Sequence, residues 1–250
     1  MNSHFALASI LAGSVLCAQQ SSLPDLEAGA RVFEANCTTC HGAAGDAVQG
    51  IDLAGGKFKR VATDEDLARF IAKGIPGTAM PPFEFLPRQM TSLLGYLRGL
   101  RESSLHPAAG DPARGQALFE GKGGCLGCHR VNGKGSRLGP DLSDIGLIRP
   151  ASALEQSILE PGAVVPPEYL FCRAVTREGV IVTGRRLNED PHTVQLIDTK
   201  ERLVSLSKPD LREYALLTGS QMPSYRGRLT SEEVTDLVKF LTTRKGIATR

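Results

Sequence analysis

Two copies of one pentapeptide, Cys37-Thr38-Thr39-Cys40-His41 and Cys125-Leu126-Gly127-Cys128-His129, constrain this chain more than any other feature. Two thiols separated by two residues share one helical turn, where both can reach the vinyl groups of a single porphyrin while the adjacent imidazole faces the iron. Each copy therefore reads as a covalent attachment site for haem c. Cys37 and Cys40, or Cys125 and Cys128, are the attachment thiols, and His41 or His129 is the first axial ligand. The rival readings are a redox dithiol, a four-cysteine zinc site and structural disulfides. The two pairs stand 84 residues apart, against about 15–20 in the usual zinc spacing, and both end in histidine, so haem is preferred.

The 250 residues carry 29 Lys and Arg against 27 Asp and Glu, a formal charge of +2. Binding a phosphate backbone requires a concentrated basic face. No such block occurs, which excludes nucleic acid as the main partner. Nine Phe, four Tyr and no Trp leave a domain of roughly 80 residues short of large core side chains, a volume that a buried porphyrin would supply. Residues 5–18 form an uncharged run of 14, too short to span a bilayer and suited to a secretory leader. A leader over residues 1–22, cleaved after Ala18 and taking Cys17 with it, implies a periplasmic protein with no transmembrane segment in its mature chain. Export agrees with haem attachment, which takes place outside the cytoplasm.

In the first half, Leu26, Ala30 and Phe33 make one apolar stripe of a helix leading into Cys37. A glycine-rich loop over residues 42–56 follows His41. Thr63-Asp64-Glu65-Asp66 is a capping signal for a helix with Leu67, Phe70 and Ile71 on one face and Lys73-Gly74 as its stop. Met90 repeats with Leu93, Leu94 and Leu97 at helical spacing after Pro87, which explains it as core. Met80 has no such period. It stands in an apolar loop, Gly77-Thr78-Ala79-Met80-Pro81-Pro82, where a thioether can be held rigidly over an iron, and it is expected to be the second axial ligand of the first haem.

The apolar period stops over residues 104–112, which read as a link between a first domain at 23–103 and a second at 113–250. Gly115-Gln116-Ala117-Leu118-Phe119-Glu120 then echoes Gly29-Ala30-Arg31-Val32-Phe33-Glu34. The chain is a duplication of one module. After the second pentapeptide comes Gly139-Pro140-Asp141-Leu142, and at this point both halves resemble class I cytochrome c domains. The resemblance implies that the Pro140 carbonyl accepts a hydrogen bond from the outer ring nitrogen of His129 and so orients the imidazole. In the first half the matching stretch is Gly50-Ile51-Asp52-Leu53; the proline is missing and the carbonyl would come from Ile51.

A helix is expected over residues 150–160. Beyond it, alternating β-branched stretches at 170–176, 180–184, 193–197 and 203–206 predict four short strands in two hairpins. His41 and Met80 are 39 positions apart, whereas His129 and Met222 are 93 apart. Removing the strand-rich stretch restores the cytochrome spacing and makes Met222 the counterpart of Met80, with Thr230-Ser231-Glu232-Glu233 capping a last helix. The expected fold is mainly α: two class I cytochrome c domains, the second with a four-stranded antiparallel β insertion at about 165–215. Cys172 is expected to be a small buried side chain, and the charges around Arg185-Arg186 and Asn188-Glu189-Asp190 a solvated hairpin edge. The interrupted second half resembles the haem-binding domain of Pirellula and Verrucomicrobium proteins, on its insertion and Ser220-Gln221-Met222-Pro223. These resemblances imply two covalently bound haem c groups and a single-electron carrier between a dehydrogenase-type donor and a cytochrome or oxidase acceptor. Such a chain is an electron-transfer protein or the cytochrome subunit of a dehydrogenase rather than an enzyme in itself. The alternative is a dihaem peroxidase-like oxidoreductase, which needs an open iron.

Overall fold

The computed structural model describes residues 23–56, 58, 63–105 and 107–246. The leader expected over residues 1–22, with Cys17, lies outside them. Among the described residues, four helices make the first half: α1 (Leu23–Asn36), α2 (Thr38–His41), α3 (Asp64–Lys73) and α4 (Pro87–Leu105). The predicted cap of α3 is present, with Thr63 Oγ1 accepting from the Asp66 amide at 3.2 Å, and Gly74 at φ 66° ends the helix. α1 lies across α4, and the crossing is tight because Gly29 has no side chain: a Cβ there would fall 2.1 Å from the Ser92 carbonyl oxygen. One turn further on, Phe33 and Tyr96 pack with ring centroids 5.4 Å apart and planes at 49°. Together with Leu93, Leu97, Leu100 and Ile71 they form the first core.

The second half repeats this crossing. α5 (Pro112–Glu120) packs on the last helix, α8 (Ser231–Thr242). A Cβ on Gly115 would sit 2.0 Å from the Asp236 carbonyl oxygen, and Phe119 meets Phe240 at 5.4 Å and 48°. The glycine and the phenylalanine occupy equivalent places in the two copies, so the sequence echo is an echo of helix packing. α8 begins with the predicted capping box of Thr230 and Glu233. Asp236, 2% exposed, accepts from the Asp111 amide at 2.6 Å and from Arg114 Nε at 2.6 Å, which ties the start of α5 to α8.

Between them the chain makes a 3₁₀ turn at Cys125–Gly127, the two-residue hairpin strands β1 (Arg130–Val131) and β2 (Lys134–Gly135), and the helices α6 (Ile145–Ile148) and α7 (Ala151–Leu159). Five strands follow: β3 (Phe171–Thr176), β4 (Ile181–Glu189), β5 (Thr193–Asp198), β6 (Leu203–Ser207) and β7 (Leu211–Leu217). The insertion is therefore a five-stranded antiparallel sheet, ordered β6-β5-β4-β3-β7, where four strands were expected. The fifth was concealed because Leu211, Tyr214 and Leu217, its half-buried residues, recur every third position. That is a helix-like spacing on an irregular edge strand whose register against β3 shifts at Val175 and Thr176. Cys172 is fully buried in the sheet with Val194 and Leu196.

The charged stretch in β4 differs from the expected solvated edge. Glu189 accepts from Lys208 Nζ at 2.7 Å, Arg186 Nη1 at 2.9 Å and Tyr214 Oη at 2.9 Å. Two strands, β4 and β7, and the turn between β6 and β7 thus meet at one carboxylate, and hydrogen bonding first to Lys208 pulls it down to about 2. The two halves touch. Ile148 of α6 packs against both cores, and Leu26 of α1 packs with Ala153 and Val164.

Candidate haem sites

Each pentapeptide closes in the same tight turn, the first directly after α1 and the second with four residues between it and α5. The Cys37 amide donates to the Phe33 carbonyl and the His41 amide to the Cys37 carbonyl, both at 2.8–2.9 Å; in the second copy the His129 amide donates to the Cys125 carbonyl at 2.8 Å. One tight turn thus brings both thiols and the imidazole of a copy into one neighbourhood. The five described cysteines are free thiols. Burial, and then the neighbouring Cys40, raise Cys37 to about 11, and burial raises Cys125 as well. A redox dithiol needs the opposite, a depressed thiol. Among the described residues no three Cys, His, Asp or Glu side chains gather as a metal-binding group, so the four cysteines do not converge on a zinc geometry.

The second imidazole is held with precision. Nδ1 of His129 lies 3.0 Å from the Pro140 carbonyl oxygen. A carbonyl can only accept, so Nδ1 carries the proton and Nε2 keeps a free lone pair, the form that ligates a metal. Burial lowers the His129 pKa and keeps the ring neutral, with the Arg149 charge acting in the same direction. Local sequence builds this arrangement. Asn132 and Gly133, at φ 50° and 81°, turn the β1–β2 hairpin, an Asn-Gly signal that marks such a turn and that sequence reasoning had passed over. The returning chain brings the Gly139 amide to 2.6 Å from the Cys128 carbonyl. A Cβ on Gly139 would lie 2.9 Å from both Nδ1 and Cε1 of the imidazole. Glycine is needed for the approach, and Pro140 then presents its carbonyl.

The first copy lacks this support. Nδ1 of His41 is buried and has no hydrogen-bond partner among the described residues, so the Ile51 carbonyl does not play the part of Pro140. The Ile51 amide is instead turned to the Val48 carbonyl at 2.9 Å, in a loop that has glycine but no proline to direct it.

His129 and Cys128 open onto an apolar cleft that Met222 also lines, with Leu142, Ile145, Leu154 and Ile158 among its walls. The loop carrying Met222 is pinned to α7: Ser224 Oγ donates to the Leu159 carbonyl at 2.6 Å and the Tyr225 amide to the Ile158 carbonyl at 3.1 Å. Tyr225 Oη also donates to the Gly123 carbonyl, just before Cys125. The structure thus brings together Cys128, His129 and Met222 on one cleft. In the first half, Met80 and Cys37 are partly buried against the same core, and so is Met90. The Met80 loop is fixed by the Ile75 amide donating to the Met80 carbonyl at 3.1 Å and the Phe83 amide to the Ile71 carbonyl at 3.0 Å.

The cleft has members that the sequence did not disclose: Tyr169 and Phe171 at the root of the sheet, Arg149, and Glu27 from α1. Nε of Arg149 is buried without a partner among the described residues. An apolar slot, an imidazole with Nε2 free, a thioether and an orphaned cationic donor suit a flat apolar macrocycle that carries carboxylates. These residues could hold a haem, whose iron supplies one-electron chemistry; the chain's part is to orient the imidazole, exclude water and close the slot.

Comparison with known proteins agrees. Residues 24–97 match the family "Cytochrome C oxidase, cbb3-type, subunit III" and residues 112–173 match "Cytochrome c". The chain is 30% identical over 138 residues to the "Cbb3-type cytochrome c oxidase subunit FixP" of Sinorhizobium medicae, covering 48% of this chain and 44% of that protein. It therefore spans less than half the length of that relative. It is 35% identical over 78 residues to the "Cytochrome c-553-like" protein of Synechocystis, covering 30% of this chain and 70% of that one. A reducing HAO-like protein complex of Kuenenia stuttgartiensis aligns over 87% of this chain and 95% of its own at 18% identity, with a TM-score of 0.25, too loose to establish a shared fold. With one family match on each pentapeptide-bearing half, the chain belongs to the c-type cytochromes: it is an electron-transfer protein with two cytochrome c domains and two covalently attached haem c groups.

Proposed function

We propose that the chain is a periplasmic dihaem cytochrome c that moves single electrons from a dehydrogenase-type donor to a cytochrome or oxidase acceptor. In this reading residues 23–103 are the first haem module, 104–112 the link and 113–250 the second module. Cys37 and Cys40 hold one haem and Cys125 and Cys128 the other; His41 with Met80, and His129 with Met222, are the axial pairs. The observation that carries the reading is the meeting of His129 and Met222 on one apolar cleft, with the imidazole proton committed to Pro140. A thioether opposite imidazole stabilises ferrous iron and raises its potential. It also closes the iron to small substrates, which disfavours the peroxidase-like alternative.

The sheet before Ser220-Gln221-Met222-Pro223 supports placing the second module with the Pirellula and Verrucomicrobium haem-binding type, whose members accompany dehydrogenases. The likeness to an oxidase subunit over the first half supports an oxidase on the acceptor side. No helix among the described residues is long and apolar enough to cross a membrane, which suits a carrier that docks. The test is spectroscopic. Protein matured with its leader should carry two haems per chain, and its ferric methionine–iron charge-transfer band should fall by about half in Met80→Ala and again in Met222→Ala. A band unchanged in Met222→Ala would reject that axial assignment. Rapid hydrogen peroxide turnover by the unmodified reduced protein would favour the peroxidase.

A further inference from the structure

The second haem cleft is not built from the second module alone. Glu27, on α1 of the first module, lines it together with Arg149, His129 and Met222. Its Oε1 accepts a hydrogen bond from Nη2 of Arg149, and only 17% of the Glu27 side chain and 12% of the Arg149 side chain are exposed. The guanidinium is held from its other side as well: Nη1 donates to Ser157 Oγ at 3.0 Å, and that hydroxyl donates to the Ala153 carbonyl at 2.8 Å. Next to the pair, Leu26 packs on Ala153 and Val164, which removes water from its flank. Screening is weak in such a place, so a charge there acts on its neighbours more strongly than one at the surface.

We propose that Glu27, although it belongs to the first module, is a positioning residue of the second haem site, acting through Arg149 to hold down the potential of the haem attached at Cys125 and Cys128. This rests on the assignment of that cleft to the second haem. The sign follows from the charge of the iron. Reduction adds one electron to ferric iron, supplied by the electron donor, with no bond made or broken. A lone cation lining the cleft favours the ferrous state, and a carboxylate paired with that cation cancels the preference. Glu27 is supplied by a helix that packs mainly on α4, so docking of the first module sets the redox level of the second haem. An isolated second module would have an uncompensated Arg149 and a higher potential.

The test is a spectroelectrochemical titration of the full dihaem protein, resolving the two midpoints. In Glu27→Gln, which keeps the shape and removes the charge, the reduction constant of the second haem should rise about tenfold, an upward shift of about 59 mV for one electron, while the first midpoint stays in place. Arg149→Gln, which strands the carboxylate, should move the second midpoint down, and the double variant should return it close to the starting value. Glu27→Asp, which retains the charge on a shorter arm, should shift less than Glu27→Gln and serves if the amide variant folds poorly. Equal shifts of both haems, shifts of one sign in both single variants, or an unmoved second midpoint would each overturn the proposal. Two haems per chain and an intact methionine–iron band, checked in every variant, separate such a failure from a failure of the axial assignment itself.

Discussion

Gly139 and Glu189 show how much a single position decides here. At Gly139 the smallest side chain would collide with the imidazole that Pro140 orients. Gly139→Ala should force the ring or the loop aside, at a cost of roughly 1–3 kcal/mol. We expect a lower melting temperature of the oxidised holoprotein, by about 2–4 °C for each kcal/mol, together with a changed methionine–iron band from the second haem. An unchanged melt and spectrum would show that the loop yields freely. Glu189 stabilises the sheet while it is ionised. Its folded value, about 2, lies below the ordinary 4.5, so its contribution is complete above about 4.5 and is lost as the pH falls from there towards about 2. Glu189→Gln should lower the denaturant midpoint near neutral pH by the equivalent of roughly 2 kcal/mol, and the gap between variant and parent should close as the solution is acidified through that window. A gap that stayed constant down to pH 2 would mean that the carboxylate charge is not what the cluster uses. The sequence disclosed Gly139 through its Gly-Pro motif. It did not disclose Glu189, because the partners Lys208 and Tyr214 reach it through a sheet fold that no local pattern reports.

At the level of elements, the paired crossings of α1 with α4 and α5 with α8 are the architecture that the repeated Gly-x-x-x-Phe spacing encodes. The sequence echo was legible because both residues serve backbone contact: glycine lets two helices touch, and phenylalanine fills the wedge beyond. Gly29→Ala and Gly115→Ala each place a Cβ about 2 Å from a carbonyl oxygen of the facing helix, so they should destabilise by roughly 1–3 kcal/mol or more through overpacking. Differential scanning of the two variants should show the first module affected by one and the second by the other. Wild-type melting in both would break the argument that these glycines set the helix separation. Helices with capping signals, α3 and α8, were found where they were expected, since a cap marks its own position. β7 was not, since an edge strand needs only one partner and carries no strict alternation, and the short α6 has neither cap nor period.

Across the whole molecule the two haem modules are separate in attachment and joined in structure. Cys40→Ala and Cys128→Ala should each abolish stable attachment at one site only, leaving one haem per chain by mass spectrometry of the intact protein. Loss of both haems in either variant would show that maturation of the modules is linked. The sequence revealed the duplication and the ligand set expected from it: Met80 stands 39 positions from His41, and Met222, 93 positions from His129, takes the matching place once the strand-rich stretch is set aside. It could not reveal that Glu27 meets Arg149, because 122 positions separate them and neither belongs to a motif.

The inserted sheet has a property that follows from its topology. Its first and last strands, β3 and β7, are neighbours, with Phe171 opposite Leu217. The chain therefore leaves the helical module and re-enters it through a doorway one strand spacing wide. A cut at the Glu178-Gly179 turn would leave both flanks of the doorway in place, and a lengthened turn there would not move Met222. The sheet can change its outer surface over generations, and with it the molecules it meets, while the Met222 loop beyond the doorway keeps its station.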